Sequence, residues 1–350
     1  MKKSLLLVLV FAFALAACAP AAPVESEPVT LTVMTHDSFA VSEEVVAAFE
    51  AEHNATVEFL ASGDTGSALN KAILTKEAPL ADLLFGVDNT FLSRALDEEI
   101  FEAYDAPALA DIPAEFKLDA ENRAIPVDFG DVCINYDKAY FADKGLDVPT
   151  TLEDLTKPEY AGLLVVENPA TSSPGLAFLM ATIAHFGEEG YLDFWADLRA
   201  NDVAVADGWE TAYYTNFSAS SGQGAQPMVV SYGSSPAAEV IFAETALDDA
   251  PTASILGPET CYRQIEFVGI LQGTANRALA EDFVDFMLSA QFQEDLPMQM
   301  FVYPVLPSAE LPAEFVDYAQ QPDQPASLDS ALIAANRDQW IQDWTDTVLK

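Results

Sequence analysis

Apolar and polar positions repeat with two periods along this chain. Leu31-Thr-Val-Met-Thr35 and Thr56-Val-Glu-Phe-Leu60 alternate with period two and carry β-branched residues, which predicts two strands. Asp82-Leu-Leu-Phe85 is a short apolar run, the pattern of a strand buried on both faces. Between these runs the period lengthens. Ser42 followed by Glu43 and Glu44 marks a helix start, with Val45, Val46 and Phe49 as its inward stripe. A Gly63-Asp-Thr-Gly66 turn leads to Ser67, read as the cap of a helix with Leu69, Ala72 and Ile73 inward. A short helix follows from Thr90. Further strands are predicted at Gly162–Val166, Asp202–Ala206 and Pro227–Ser231, with helices near 174–187, 191–200, 209–217 and 235–243. Alternating strands and helices imply an α/β protein with a mainly parallel sheet flanked by helices. No internal repeat interrupts the pattern.

The N-terminus follows different rules. Lys2 and Lys3 precede an apolar run from Leu5 to Leu15, and Ala16-Ala17-Cys18 follows. A basic start, a short apolar stretch and small residues predict a secretory signal over residues 1–17. The run is too short to span a bilayer, which takes about 20 apolar residues. Leu-Ala-Ala-Cys resembles the bacterial lipobox, which implies that Cys18 is acylated and becomes the mature N-terminus. Residues 18–28, small and Pro-rich, read as a tether from the lipid to a folded body. The expectation is an exported lipoprotein, at the cell surface or in the periplasm, held to the membrane through this anchor alone.

Composition changes the picture in two ways. A hydrophobic share of 51% means that the net charge of −41 does not signal disorder, and 350 residues call for more than one core. Loss of Lys2 and Lys3 with the signal brings the charge to −43. Such a body repels phosphate backbones and anionic lipid headgroups, so nucleic-acid binding and polybasic membrane docking are excluded. Three His and three Cys leave little for a multi-ligand zinc site. With Cys18 acylated, Cys133 and Cys261 remain, each in a strand-like run. Outside the cytoplasm such a pair is expected to oxidise, the alternative being two separate buried thiols.

Candidate chemistry gathers in the loops after the strands, where open α/β sheets bind ligands. These loops are His36-Asp37-Ser38, Gly63–Gly66, Asp88-Asn89, Asn168–Gly175, Asp207-Gly208-Trp209 and Ser231–Pro236. They hold carboxylates, aromatics and hydroxyls and almost no cations, a set that suits a cationic organic ligand. Enzyme signatures are absent: no Gly-x-Ser-x-Gly, no His-Glu-x-x-His and no Gly-rich nucleotide loop with Lys-Ser/Thr occurs, and His36, His53 and His185 are scattered. A carboxylate-pair glycosidase has no support beyond the 56 acids that always supply pairs.

In order along the chain come Leu31-Thr-Val-Met-Thr-His-Asp-Ser-Phe39, Ala81-Asp-Leu-Leu-Phe-Gly-Val-Asp-Asn89, Thr171-Ser-Ser-Pro-Gly-Leu176, Asp207-Gly-Trp-Glu-Thr-Ala-Tyr213, Ser231-Tyr-Gly-Ser-Ser-Pro-Ala237 and Tyr303-Pro304-Val305. With the lipobox before them and Gln339-Trp340-Ile341-x-x-Trp344 after, this set resembles the thiamine-binding proteins of ABC importers. The resemblance implies the two-lobed type II periplasmic-binding-protein fold. Residues 29–127 would begin lobe 1, 128–263 would form lobe 2, and 264–350 would return to lobe 1 and end in C-terminal helices. Ile125–Tyr136 and Cys261–Val268 would be hinge strands, and a Cys133–Cys261 bond would staple the hinge.

It also implies a monomeric receptor for thiamine or its phosphate esters, serving a permease and its ATPase, with no cofactor and no metal. Asp37 and Asp88 would face the charged or aminopyrimidine parts of the ligand, and Asp128 would lie near the hinge. Ser172 and Ser173, at a helix N-terminus, would meet the hydroxyethyl or phosphate end. Trp209 and Tyr232 would be aromatic contacts. His36, Ser38, Tyr213, Phe301 and Tyr303 complete the expected ligand-binding set. Three members of the aromatic cage differ: the family often has Tyr where His36 stands, Tyr where Ala238 stands and Trp where Phe301 stands. Competing ligands on the same fold are ferric ion, through Tyr213-Tyr214, and a polyamine.

Overall fold

A computed structural model describes residues 27–219 and 224–350. The signal segment, Cys18 and the tether up to residue 26 lie outside the described residues. Eleven strands run in chain order as β1 (Val29–Thr35), β2 (Ala55–Ala61), β3 (Leu83–Asp88), β4 (Phe101–Glu102), β5 (Ile125–Asp137), β6 (Leu164–Glu167), β7 (Ala204–Ala206), β8 (Met228–Tyr232), β9 (Thr252–Ile255), β10 (Tyr262–Leu271) and β11 (Tyr303–Pro304). They join in one sheet of order β2-β1-β3-β10-β5-β8-β6-β7, with β4 beside β10 and both β9 and β11 beside β5.

The ends of this sheet are parallel: β1 with β2 and β3, and β6 with β7 and β8. Its centre is antiparallel, where β10 pairs with β3 and β5, and β5 with β8. The sheet is therefore parallel where the sequence predicts βα units and antiparallel where β5 and β10 pass between the halves. β3 is buried along its whole length, as its apolar run predicts. Helices alternate with these strands along the chain, giving the two-lobed α/β architecture.

Local chemistry explains the small departures from the sequence pattern. Ser67 does not cap its helix; Asp64 does, accepting from the Thr65 amide at 2.7 Å, so the helix spans Thr65–Leu74. Ser42 stands at the N-cap of Glu43–His53, but its side chain makes no cap bond, and its amide donates to Asp295 at 2.8 Å. The expected helices near 174–187 and 191–200 run together as Ser173–Ala200, broken at Gly187, whose φ of 74° only glycine adopts freely. The 209–217 helix is one α turn, Trp209–Thr211, followed by a π-helical turn, Ala212–Asn216. The C-terminal helix, Ser330–Val348, crosses both halves: the Arg337 guanidinium lies 5.0 Å over the Phe91 ring, and Trp344 meets Trp195 edge-on at 5.5 Å.

Cys133 on β5 and Cys261, the residue before β10, form a disulfide across a sequence separation of 128 residues. The link stabilises chiefly by restricting the unfolded chain, on the order of 5 kcal/mol for such a loop and typically less in practice. Replacing both cysteines by serine is expected to lower stability by about 2–5 kcal/mol. A denaturation midpoint unchanged from the parent protein would contradict this role.

Candidate functional site

The strand termini of both halves converge on a cleft of about 330 Å³, near the lower end of the range of about 300–1,000 Å³ usual for small-molecule sites. One wall comes from the segment after β1 (His36–Ala40) and the start of the Thr65–Leu74 helix. The other comes from Ser173 and Pro174, from Trp209, Glu210, Tyr213 and Tyr214, and from Tyr232 and Ser235. Glu266 on β10 and the Gln299–Val302 segment contribute the floor and one side. Each wall thus follows the C-terminal end of a strand, where a parallel arrangement opens a crevice.

The aromatic wall is one packed unit. Trp209 stacks on Tyr213 at 5.1 Å and 20° and meets Tyr214 edge-on at 5.5 Å, with Tyr232 at 6.4 Å. Its indole N–H donates to Ser231 at 2.8 Å, and Ser231 in turn contacts Ser235 at 2.9 Å. The Tyr213 hydroxyl donates to Glu239 at 2.6 Å. These bonds fix the ring planes, so little conformational freedom is left to lose on binding. At the rim, Phe242 and Phe301 meet edge-on at 5.0 Å. Phe301 holds a left-handed φ of 58°, and its carbonyl accepts from the Ser234 hydroxyl.

Carboxylates line the opposite side, and among the described residues no Lys or Arg lines the cleft. Arg263 is held by Asp131 at 2.8 Å and 3.0 Å, and Lys71 by Ser62 at 3.1 Å. Asp37 accepts from the Gly63 amide at 2.8 Å. Asp64 draws the two halves together: besides Thr65, it receives the Trp209 amide at 3.3 Å and the Ser173 amide at 3.5 Å. The Gly66 amide crosses to the Thr171 carbonyl at 3.2 Å.

Behind the floor, Asp88, Glu266 and Asp128 face one another across β3, β10 and β5, with Glu266 opposite both others in register. Burial, foremost, raises all three carboxyl groups. Asp88 is opposed in this by bonds from Ser173, Thr90 and Phe91. Glu266 is pushed up to about 8. Asp128 lies well above the usual carboxylate range, with the neighbouring Glu266 charge adding to burial. His36 Nε2 stands 3.4 Å from Glu266 Oε1, and burial lowers the imidazole against the pull of Asp64, Asp128, Asp37 and Asp88. Gly86 makes room for that ring: its φ is +95°, and a Cβ there would meet His36 Cδ2 at 2.3 Å.

Of the residues singled out by sequence, His36, Asp37, Ser38, Ser173, Trp209, Tyr213, Tyr232 and Phe301 line this cleft together. Four do not. Asp88 and Asp128 lie under the floor, fully buried. Ser172 is also fully buried, its hydroxyl without a partner among the described residues. Tyr303 turns away to stack on Phe129 at 5.3 Å and to meet Phe315 at 4.7 Å. Sequence reasoning missed Glu266, although an acid between Ile265 and Phe267 in an otherwise apolar strand is a legible anomaly. It also left Asp64, Glu210 and Phe242 out of the site.

Comparison with known proteins identifies the family and the fold. A family model described as bacterial extracellular solute-binding protein matches residues 78–329. The thiamine-binding periplasmic protein of Salmonella typhimurium is 32% identical over 333 residues, covering 94% of this chain and 96% of the relative. A solved periplasmic thiamin binding protein superposes with a TM-score of 0.80 at 29% identity, covering 91% of this chain and 96% of that one. A ferric binding protein from Campylobacter jejuni superposes at 0.73 with 16% identity over 91% of this chain and 99% of its own, a likeness of fold alone.

Asp64 offers a direct check on how the cleft is assembled. Asp64→Ala removes a helix cap and the bond to the Trp209 amide, with an expected loss of about 1–2 kcal/mol. Asp64→Asn keeps an acceptor oxygen and is expected to lose less than half of that. Equal stability of the alanine variant and the parent in urea denaturation would refute the assignment.

Proposed function

The chain belongs to the family of bacterial extracellular solute-binding proteins, and from that premise we propose that its cleft captures thiamine or a thiamine phosphate ester for an ABC importer. The observation that carries this reading is a wall of four aromatic rings facing carboxylates in a cleft that no Lys or Arg among the described residues lines. A thiazolium against Trp209 gains from the ring quadrupole while Asp37 and Glu266 answer its charge. Ser173, at the start of a buried helix, stands where a hydroxyethyl oxygen or phosphate is received. Where the family pattern has further aromatics, Tyr213, Tyr214 and Phe242 stand in this cleft instead.

Micromolar to nanomolar capture takes about 8–12 kcal/mol. Two or three cation–π contacts at about 0.5–2 kcal/mol each supply a minor share. Burial of the aminopyrimidine and charge-assisted hydrogen bonds supply the rest, and the ligand favours a closed cleft only as far as it binds that state better. In this reading residues 29–127 and 264–350 form one lobe and 128–263 the other, the receptor is a monomer without enzymatic activity, and delivery is to a permease with its ATPase.

Ferric ion is the second reading, since Tyr213-Tyr214 offers adjacent phenols. Iron ligation needs phenolates, and burial pushes both tyrosines above their ordinary range. Tyr213 is moreover engaged with Trp209 and Glu239.

Isothermal titration is expected to show thiamine binding, with Trp209→Ala weakening it by about 3- to 30-fold. Failure of thiamine and both its phosphates to bind, or a visible charge-transfer band on adding ferric salt, would overturn the reading. A separate expectation concerns the anchor: Cys18→Ser should move the exported protein from the membrane to the soluble fraction, and unchanged detergent partitioning would speak against acylation.

A further inference from the structure

The carboxyl groups under the cleft differ in how well their charges are met. Asp88 receives the Thr90 amide at 2.8 Å, the Thr90 hydroxyl at 2.6 Å, the Phe91 amide at 3.1 Å and the Ser173 hydroxyl. That donor set supports an ionised group. Asp128, equally buried, has no donor on either oxygen among the described residues. Its neighbour across the ladder is Glu266, and side chains directly opposite in an antiparallel pair stand about 5 Å apart at Cβ. The ladder shifts register immediately after Glu266, a bulge that re-aims side chains on the strand. Two acids so placed, Asp128 fully buried and Glu266 nearly so, satisfy each other by sharing a proton.

Other groups around Glu266 sharpen this. His36 comes from the end of β1, Asp88 from β3, Asp128 from β5, Tyr232 from β8 and Asp64 from the cap of the Thr65–Leu74 helix. All except His36 and Tyr232 are acids. Burial keeps the imidazole neutral, and it also holds the Tyr232 phenol protonated. The nearby guanidinium of Arg263 is taken by Asp131. Among the described residues, no positive charge therefore balances a fully ionised floor. Glu266 lines the cleft and Asp128 does not, so Glu266 is the member of the pair that a ligand reaches.

We propose that Glu266 and Asp128 share one proton in the ligand-free protein and that a cationic ligand expels it to solvent, coupling capture to proton release. The charge balances: one positive charge enters the cleft and one proton leaves, while Glu266 becomes the counter-ion of the cation. The inference rests on the cationic-ligand reading above. It adds a selection rule, because a neutral molecule of the same shape gives no counter-charge and leaves the pair protonated.

The elevated state of Glu266, about 8, fixes the direction with pH. Ligand binding lowers that value, so affinity rises with pH, by up to about tenfold per unit, through the window below about 8, and is flat above it.

Titration of thiamine into the full chain at pH 7 in phosphate, HEPES and Tris tests this, because the three buffers differ in protonation enthalpy. The apparent binding enthalpy is expected to vary between buffers with a slope close to one proton released per thiamine, and Glu266→Gln to abolish the slope. Thiamine binding with no buffer dependence overturns the coupling and leaves the receptor reading intact. No binding at all overturns that reading, and infrared spectroscopy of the ligand-free protein then decides the pair. A protonated-carboxyl band at pH 7 that vanishes in Glu266→Gln, or in Asp128→Asn should the first variant not fold, supports the shared proton. Absence of the band in the parent protein overturns it.

Discussion

The pairing of β10 with β5 is the constraint on which the remainder depends. These two strands belong to both halves of the sheet, so their register sets where each half stands relative to the cleft. Three different interactions tie the same ladder. The Cys133–Cys261 disulfide holds one end covalently, Arg263 and Asp131 bridge two rungs further on, and Glu266 faces Asp128 beyond them. Arg263, partly exposed, also lies 5.0 Å over the Phe129 ring, a second hold on the same guanidinium. A slip by one residue would turn Glu266 away from the cleft and drive Phe267 into it. The covalent link and the ion pair act against that slip.

From this ladder the cleft inherits its asymmetry. One side is made of rings whose planes are set by hydrogen bonds to Ser231 and Glu239. The other is made of carboxyl groups, among which Glu266 has its ionisation held back by burial. Such a site is ordered before any ligand arrives. The rings cost nothing to desolvate further, whereas each acid costs free energy whenever it is charged and unpaired. A cation relieves that tension, and this relief is differential: it exists only when both walls are near the ligand. Asp64 serves the same end by taking amides from both halves.

Much of this architecture is legible in the amino-acid sequence alone. The strands at 31–35 and 56–60 follow from alternation and β-branched content, that at 82–85 from a short apolar run, and parts of β5 and β10 from the strand-like runs 131–136 and 261–268. Trp209, Tyr232, His36 and Asp37 follow from their place after strands. What escapes has specific physical causes. Ser67 and Asp64 both satisfy cap chemistry, and only backbone geometry shows that Gly66 and Ser67 are already inside the helix. Glu266 sits in mid-strand, and a search of strand ends passes over it. Tyr303 shares a short motif with cleft residues, yet strand alternation sends its ring toward Phe129. Asp88 and Asp128 stand at the right places along their strands and lie one layer too deep.

Net charge and site charge prove to be different quantities. A chain at −41 draws cations from a distance, and that field is screened within about 8 Å at physiological ionic strength. Recognition occurs where water is excluded, and there an additional ionised acid is a liability unless something pairs with it. Among the many carboxylates, Glu266 on the cleft floor and Asp128 beneath it are therefore ill disposed to carry charge at neutral pH. Their value to a binding site lies in being able to acquire it. A surface aspartate is ionised whether or not a ligand is present and so contributes equally to both states. A buried acid that ionises only beside a cation favours the bound state alone, and that difference is what specificity consists of.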